Sequence, residues 1–338
     1  MARGERIELI RAIQKHRGSR LICCLTSDRH GAPGNIAKDF IPKFFEHLSR
    51  FQQPKKIDVF LFTTGGDTLA AFGLSRLVRE FTNSVATLVP EKCHSAGTLF
   101  VLGSNEVFMG RAATLTPIDP SVNTPLNPQV ELGPGMRQIL PVSVESVAGY
   151  KALVKDDWGL NDDATGAAFR ILADRINPLA LGDVYRSRQQ IGRLARTLIH
   201  YHRHDERKIK KIVEKLTGGY GSHDYPISRA EARELLEAQI AKDDAELERL
   251  LWELFRDFSA EMKLGEIFDP TIALQVATAS GQRPPVLDTQ KLVVIESEAA
   301  GDEFARGLQL SAVQAMTPAG PAPGIQAAVV RQGWTHYN

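Results

Sequence analysis

Long hydrophobic runs are missing from this sequence, and cysteine is scarce. No stretch is long and apolar enough to span a bilayer, which argues against an integral membrane segment. The first 21 residues intersperse Arg3, Glu5, Arg6, Arg11, Lys15 and Arg17 among their apolar residues. They lack the continuous hydrophobic region of a signal peptide and read as an amphipathic helix packed on the domain. Three cysteines, adjacent Cys23 and Cys24 plus distant Cys93, make no disulfide framework and no CxxC spacing, which fits a reducing cytoplasm. Neither charge is in excess: 41 Lys and Arg face 40 Asp and Glu, so the formal charge of +1 gives no electrostatic reason to expect nucleic acid or an anionic membrane. No fixed-period repeat is present, which excludes a solenoid.

What is present is enough apolar matter, 43% of 338 residues, for a sizeable core. Apolar runs at 20–25, 59–62, 85–89 and 106–109 predict strands. Helical patterns at about 37–51, from 67 to about 81, and at 99–102 lie between them. This alternation predicts an α/β fold with a mostly parallel sheet covered by helices, whose sites lie on loops at the carboxyl ends of the strands. Segment 117–141, rich in Pro, Asn and Gly, reads as an irregular excursion. Helical periodicity returns over 144–155, 164–203 and 241–262, where Leu247, Leu250, Leu251, Leu254, Phe255 and Phe258 share one face as core or oligomer interface. The tail after Pro284-Pro285 carries strand-like runs at 292–295 and 325–330 around a Pro/Gly/Ala linker at 317–324. The expected organisation is an N-terminal helix (1–18), a catalytic domain with helical additions (19–282) and a small C-terminal β-rich appendage (283–338).

Two of the predicted strand-to-helix loops carry chemistry. His94-Ser95-Ala96-Gly97-Thr98 exposes a serine at a helix start, and Gly65-Gly66 follows the strand ending at Phe62. If the loops meet, the Ala96 N–H and a glycine N–H from Gly65 or Gly66 form an oxyanion hole beside a Ser95 nucleophile. The competing reading makes Ser95 an ordinary helix N-cap and the glycine pair an ordinary turn.

Taken in order, Leu61-Phe62-Thr63-Thr64-Gly65-Gly66, Ser95-Ala96-Gly97-Thr98 and Thr116-Pro117-Ile118-Asp119-Pro120 resemble the ClpP/crotonase superfamily of serine peptidases. The resemblance is closer to the SppA-like group of serine dehydrogenase proteinases. Segments Gly221 to Ile227, Arg229 to Ala232 and Asn177 to Gly182 also resemble that group, and the likeness spans roughly Ser19 to Met262. It implies a ClpP/crotonase-like spiral of β-β-α units, a homo-oligomer, a peptide or protein substrate, and no cofactor or metal.

A serine nucleophile needs a proton acceptor. Where a ClpP-type enzyme carries its catalytic histidine after Ile, this chain has Asp119, and where that enzyme places its acid this one has His223 and Asp224. A triad of Ser95, His223 as base and Asp119 as orienting carboxylate is chemically equivalent, because roles and geometry define a triad. Lys151 is the alternative base, as SppA-like relatives use lysine. His94 adjoins the nucleophile, but neighbouring side chains diverge, so it packs, caps or contacts substrate. The His200-Tyr201-His202-Arg203-His204 cluster lacks an HExxH-type carboxylate and reads as a solvated basic helix. The leading expectation is an ATP-independent serine peptidase or amidase acting through acyl-Ser95. The alternatives are a catalytically silent scaffold of the same fold and a crotonase-like acyl-CoA enzyme.

Overall fold

A computed structural model of the chain describes residues 3–118, 121–122, 124–133, 136–317 and 320–337. In chain order its first elements are α1 (Arg3–Arg17), β1 (Arg20–Thr26), α2 (Phe40–Ser49), β2 (Ile57–Phe62), α3 (Thr68–Phe81), β3 (Val85–Val89), β4 (Lys92–Cys93), α4 (Ala96–Val101), β5 (Glu106–Met109) and β6 (Thr114–Leu115). Next come β7 (Ser121–Val122), β8 (Gln129–Gly133), β9 (Met136–Ile139), β10 (Val142–Ser143), α5 (Val144–Ala152), α6 (Asp162–Arg175), α7 (Pro178–Ile199) and α8 (Glu206–Gly218). The chain continues with β11 (Ile227–Ser228), α9 (Arg229–Leu236), α10 (Ala245–Met262), α11 (Pro270–Ala279), β12 (Val286–Ser297), β13 (Gly301–Thr317) and β14 (Gly320–Tyr337). These elements fall into two compact units, one of 1–115 with 228–338 and the other of 116–227.

In the first unit, seven strands among the described residues form one sheet in the order β14-β13-β12-β1-β2-β3-β5. Strands β1, β2, β3 and β5 run parallel. Every residue of β2 and β3, and all of β1 but Arg20, is buried. Burial on both faces is what a parallel sheet needs, and it explains why these strands read as unbroken apolar runs. Residues Ile10 and Ile13 of α1 and the stripe of α10 pack with Leu21, Cys23, Phe60 and Phe62 in one core, so that stripe is core. Arg6 of α1 is itself buried there, donating to Asp257 at 2.7 Å and to Glu296 at 2.9 Å, with Glu261 as a third partner.

The sheet is mixed rather than mostly parallel. Strand β12 joins β1 antiparallel, pairing Cys24 with Ile295, and β13 and β14 continue that pattern outward. The expected C-terminal β-rich segment, 283–338, thus extends the central sheet, with Leu292, Val293, Val294 and Ile295 buried. β13 runs to Thr317 and β14 begins at Gly320, so most of what reads as a 317–324 linker is strand, residues 318 and 319 lying outside the described ones. Pro321 and Pro323 misled the sequence reading, because an edge strand tolerates proline and β14 is the edge.

The second unit is largely helical. The 164–203 pattern splits at Asn177-Pro178, where the Asn177 side chain accepts from Leu179 N–H at 2.9 Å and proline takes the first turn of α7. Segment 117–141 holds the β8–β9 hairpin. Val142, Val144 and Val184 make a small core of their own, and Ile191, Ala195, Leu198, Ile209, Ile212 and Leu216 are the buried faces of α7 and α8. No helix among the described residues is long and apolar enough to cross a membrane.

Candidate active site

At the carboxyl end of β2 the chain enters Thr63-Thr64-Gly65-Gly66-Asp67, and β4 leads into His94-Ser95-Ala96-Gly97. Backbone bonds stitch the two loops together: Thr63 N–H donates to the Lys92 carbonyl at 3.1 Å and His94 N–H to the Thr63 carbonyl at 3.0 Å. Gly65 is thereby pressed against Ser95. A Cβ placed on Gly65 would lie 2.8 Å from Ser95 Cβ and 3.3 Å from Ser95 Oγ. No side chain fits at that distance, and φ of 120° at Gly65 and 141° at Gly66 further restricts both positions to glycine. A Cβ on Gly66 would meet the Ile36 carbonyl oxygen at 2.3 Å, because Ile36 pairs with this loop as a β-bridge.

Ser95 itself has φ 51° and ψ −112°, and its side chain makes no capping hydrogen bond to α4. A side chain held at positive φ costs about 1–3 kcal/mol, and such strain concentrates at functional sites. The hydroxyl does not serve the helix, which removes the ordinary N-cap reading. Gly97 is needed for packing: a Cβ there would fall 2.5 Å from Thr63 Cγ2 and 2.8 Å from Cys93 Sγ. In the glycine loop, Asp67 caps α3 by accepting from Leu69 and Ala70 N–H at 2.8 and 3.0 Å.

The hydroxyl of Thr63 is the part sequence reasoning missed. It accepts from Thr26 Oγ1 at 2.8 Å and from Gly65 N–H at 3.0 Å, and sets the shape of the glycine loop. Gly65 N–H is therefore already engaged. Among the described residues, the N–H groups of Gly66 and Ala96 donate no hydrogen bond. The signal was present in the Thr63-Thr64 pair before the glycines, but a threonine at a strand end is common enough to pass as β-propensity.

Neighbouring groups are committed elsewhere. The His94 ring sits 2.8 Å from Thr114 Oγ1 through Nε2. Cys93 is buried, and burial pushes its thiol well above the usual range, which removes a rival nucleophile. Lys92 Nζ lies 2.7 Å from Asp28 and 3.4 Å from Glu91. Burial pulls Lys92 downward, but these two carboxylates outweigh it and hold it above the ordinary lysine value, so it stays charged and is no proton acceptor.

The candidate bases belong to the second unit. His223, half-buried, and Lys151, exposed at the end of α5, line one cavity of about 810 Å³ with Glu145, Arg188 and Ser222. Asp224 is exposed. Asp119 lies outside the described residues; its neighbour Ile118 donates through N–H to the Leu216 carbonyl at 2.9 Å. The 200–204 cluster is not helical as expected, because α7 ends at Ile199. The His200 and His204 rings stack 6.2 Å apart, and His200 Nε2 is 3.1 Å from Glu206.

Residues 2–131 match the model of the ClpP-like SDH-type serine proteinase family, a segment that contains Gly65, Gly66, Ser95 and Ala96 and ends before Lys151 and His223. Over that segment the chain is similar to ClpP-like serine proteinases, and the segment folds on the α/β sheet described above. Two uncharacterized proteins of Methanocaldococcus jannaschii are similar to it. One is 28% identical over 181 residues, covering 54% of this chain and 52% of that protein. The other is 24% identical over 241 residues, covering 68% and 70%. The chain thus spans about half the length of the first. Among solved structures, a mutant of the 1510-N membrane-bound stomatin-specific protease shows 16% identity with a TM-score of 0.34, covering 64% of this chain and 80% of that one. ClpP1 from Listeria monocytogenes shows 11% identity with a TM-score of 0.36, covering 73% and 99%.

Proposed function

We propose that this protein is a serine peptidase or amidase that cleaves peptide bonds through an acyl-Ser95 intermediate. The observation that carries the reading is Ser95 itself, held at φ 51° against Gly65 with a hydroxyl that does not cap its helix. Ser95 Oγ attacks the substrate carbonyl carbon and its proton passes to the base. The carbonyl oxygen becomes an oxyanion that the Gly66 and Ala96 N–H groups receive, while Gly65 supplies the close approach. On collapse the C–N bond breaks, the amine leaves with the proton from the base, and water hydrolyses the ester by the same route.

The base in this proposal is His223, oriented by Asp119, with Lys151 as the alternative. Both candidates line one cavity, and the family match ends before either. The protein works in this reading as a cytoplasmic homo-oligomer on peptide or protein substrates, without nucleotide.

The test is labelling with a fluorophosphonate probe together with hydrolysis of a short-peptide library in the absence of ATP. Wild-type protein is expected to be labelled at Ser95, and Ser95→Ala to lose both labelling and turnover with an unchanged circular dichroism spectrum. His223→Ala loses turnover while Lys151→Ala keeps it; the reverse pattern moves the base to Lys151. Hydrolysis that persists in Ser95→Ala sinks the reading.

A further inference from the structure

Away from the nucleophile, α2 and the last two strands gather side chains that the peptidase reading does not use. Asp302 on β13 is the direct cross-strand partner of His336 on β14, so the register sets the two side chains next to each other. His336 Nδ1 lies 3.3 Å from Asp302 Oδ1. From α2, His47 Nε2 reaches within 3.3 Å of the other oxygen, Oδ2. One ligand atom each from Glu46, Asp302 and His336 lies within 4.8 Å of the others.

Burial makes this arrangement costly as it stands. Asp302 is 0% and His47 1% exposed, and Asp302 is held by ion-pair contacts to Lys43 at 3.0 Å and to the two imidazoles rather than by well-aligned hydrogen bonds. A charge-assisted bond between imidazole and carboxylate spans about 2.7–2.9 Å. The 3.3 Å spacing seen twice here is longer. The His336–Asp302 spacing is close to the edge of a tetrahedron whose centre sits about 2.0–2.1 Å from nitrogen and oxygen ligands, the geometry of a zinc site. The other nitrogen of His47, Nδ1, is 2.7 Å from the buried Ser297 hydroxyl. That contact fixes the His47 ring beside Asp302, as a neighbour of the carboxylate and not a member of the ligand cluster. Lys43 Nζ, 3.0 Å from Asp302 Oδ1 and 3.6 Å from Glu46, is the cation that offsets these carboxylates otherwise.

We propose that Asp302, His336 and Glu46, with water completing the shell, bind a divalent first-row cation of the Zn²⁺ class, which displaces Lys43 from Asp302. The donor set of imidazole and carboxylate suits such ions rather than Mg²⁺ or Ca²⁺, which prefer oxygen alone. The ion ties α2 to the β13–β14 pair and so acts structurally, independent of Ser95.

Isothermal titration of ZnCl₂ into untagged full-length protein, first stripped with a chelator, tests this, with thermal denaturation run in parallel. Wild-type protein binds Zn²⁺ stoichiometrically and its thermal midpoint rises. His336→Ala, which alters an exposed side chain and leaves the folded state intact, loses at least about tenfold in affinity. Its midpoint without Zn²⁺ reports that it has folded. Absence of Zn²⁺ binding by the wild type, or equal binding by the folded His336→Ala protein, overturns the proposal.

Discussion

Ser95 is held where an L side chain is strained, and that strain is measurable apart from catalysis. Ser95→Ala and Ser95→Gly both remove the hydroxyl, but only glycine relieves the positive φ. After the entropy that glycine adds to the unfolded chain, Ser95→Gly is expected to be more stable than Ser95→Ala by about 1 kcal/mol. In a protein of this size that is a thermal midpoint about 2 °C higher by calorimetry. An alanine variant as stable as the glycine variant would mean that the loop relaxes around residue 95. Single residues also mark where the sequence was legible. Gly65, Gly66 and Ser95 stood out through the order of their motifs, and the structure adds why the first two are glycine, since positive φ and close approach leave few residue types possible there. The Thr63 hydroxyl did not stand out, because nothing in its local pattern shows that Thr26 is its partner.

At the scale of elements, α1 is locked to α10 and β12 through Arg6 rather than laid on the surface. Glu261 joins that lock through Arg6 and Lys291. Burial pushes the Glu261 carboxyl up, but its bonds to Lys291 and Arg6 prevail and hold it below the usual value. Its folded pKa is lower than its unfolded one. The stability it contributes is therefore complete above the ordinary glutamate range and is lost as pH falls through the folded value. Urea midpoints measured from pH 6 down to pH 3 are expected to fall for the wild type and to fall less steeply for Glu261→Gln. Parallel curves would remove Glu261 from the lock. Strands β1 to β3 were legible for a physical reason: burial on both faces writes an apolar run into the sequence. The grouping of Glu46, Asp302 and His336 was not, since Asp302 and His336 meet only through a cross-strand register that no local periodicity encodes.

For the molecule as a whole, the position of β12 matters most. It covers the flank of β1 and supplies buried Val294 to the main core, so segment 283–338 is structural to the sheet. A protein ending at residue 282 is expected to lose cooperative unfolding and to aggregate, measured by size-exclusion chromatography and calorimetry. A monodisperse truncated protein with an intact unfolding transition would show that the remaining strands suffice. The two units differ in how far local pattern reaches: helices of 116–227 follow from periodicity and caps, whereas the mixed sheet depends on partners distant in sequence.

The pairing of β1 with β12 also carries a consequence for biosynthesis. Leu25 leaves the ribosome early and its partner Val294 emerges only after most of the chain has been made. Until then the hydrogen-bonding edge of β1 stands open in a nascent polypeptide, an aggregation hazard of the kind that long-range strand pairing creates. Closing that edge must therefore wait on a pairing that spans most of the chain.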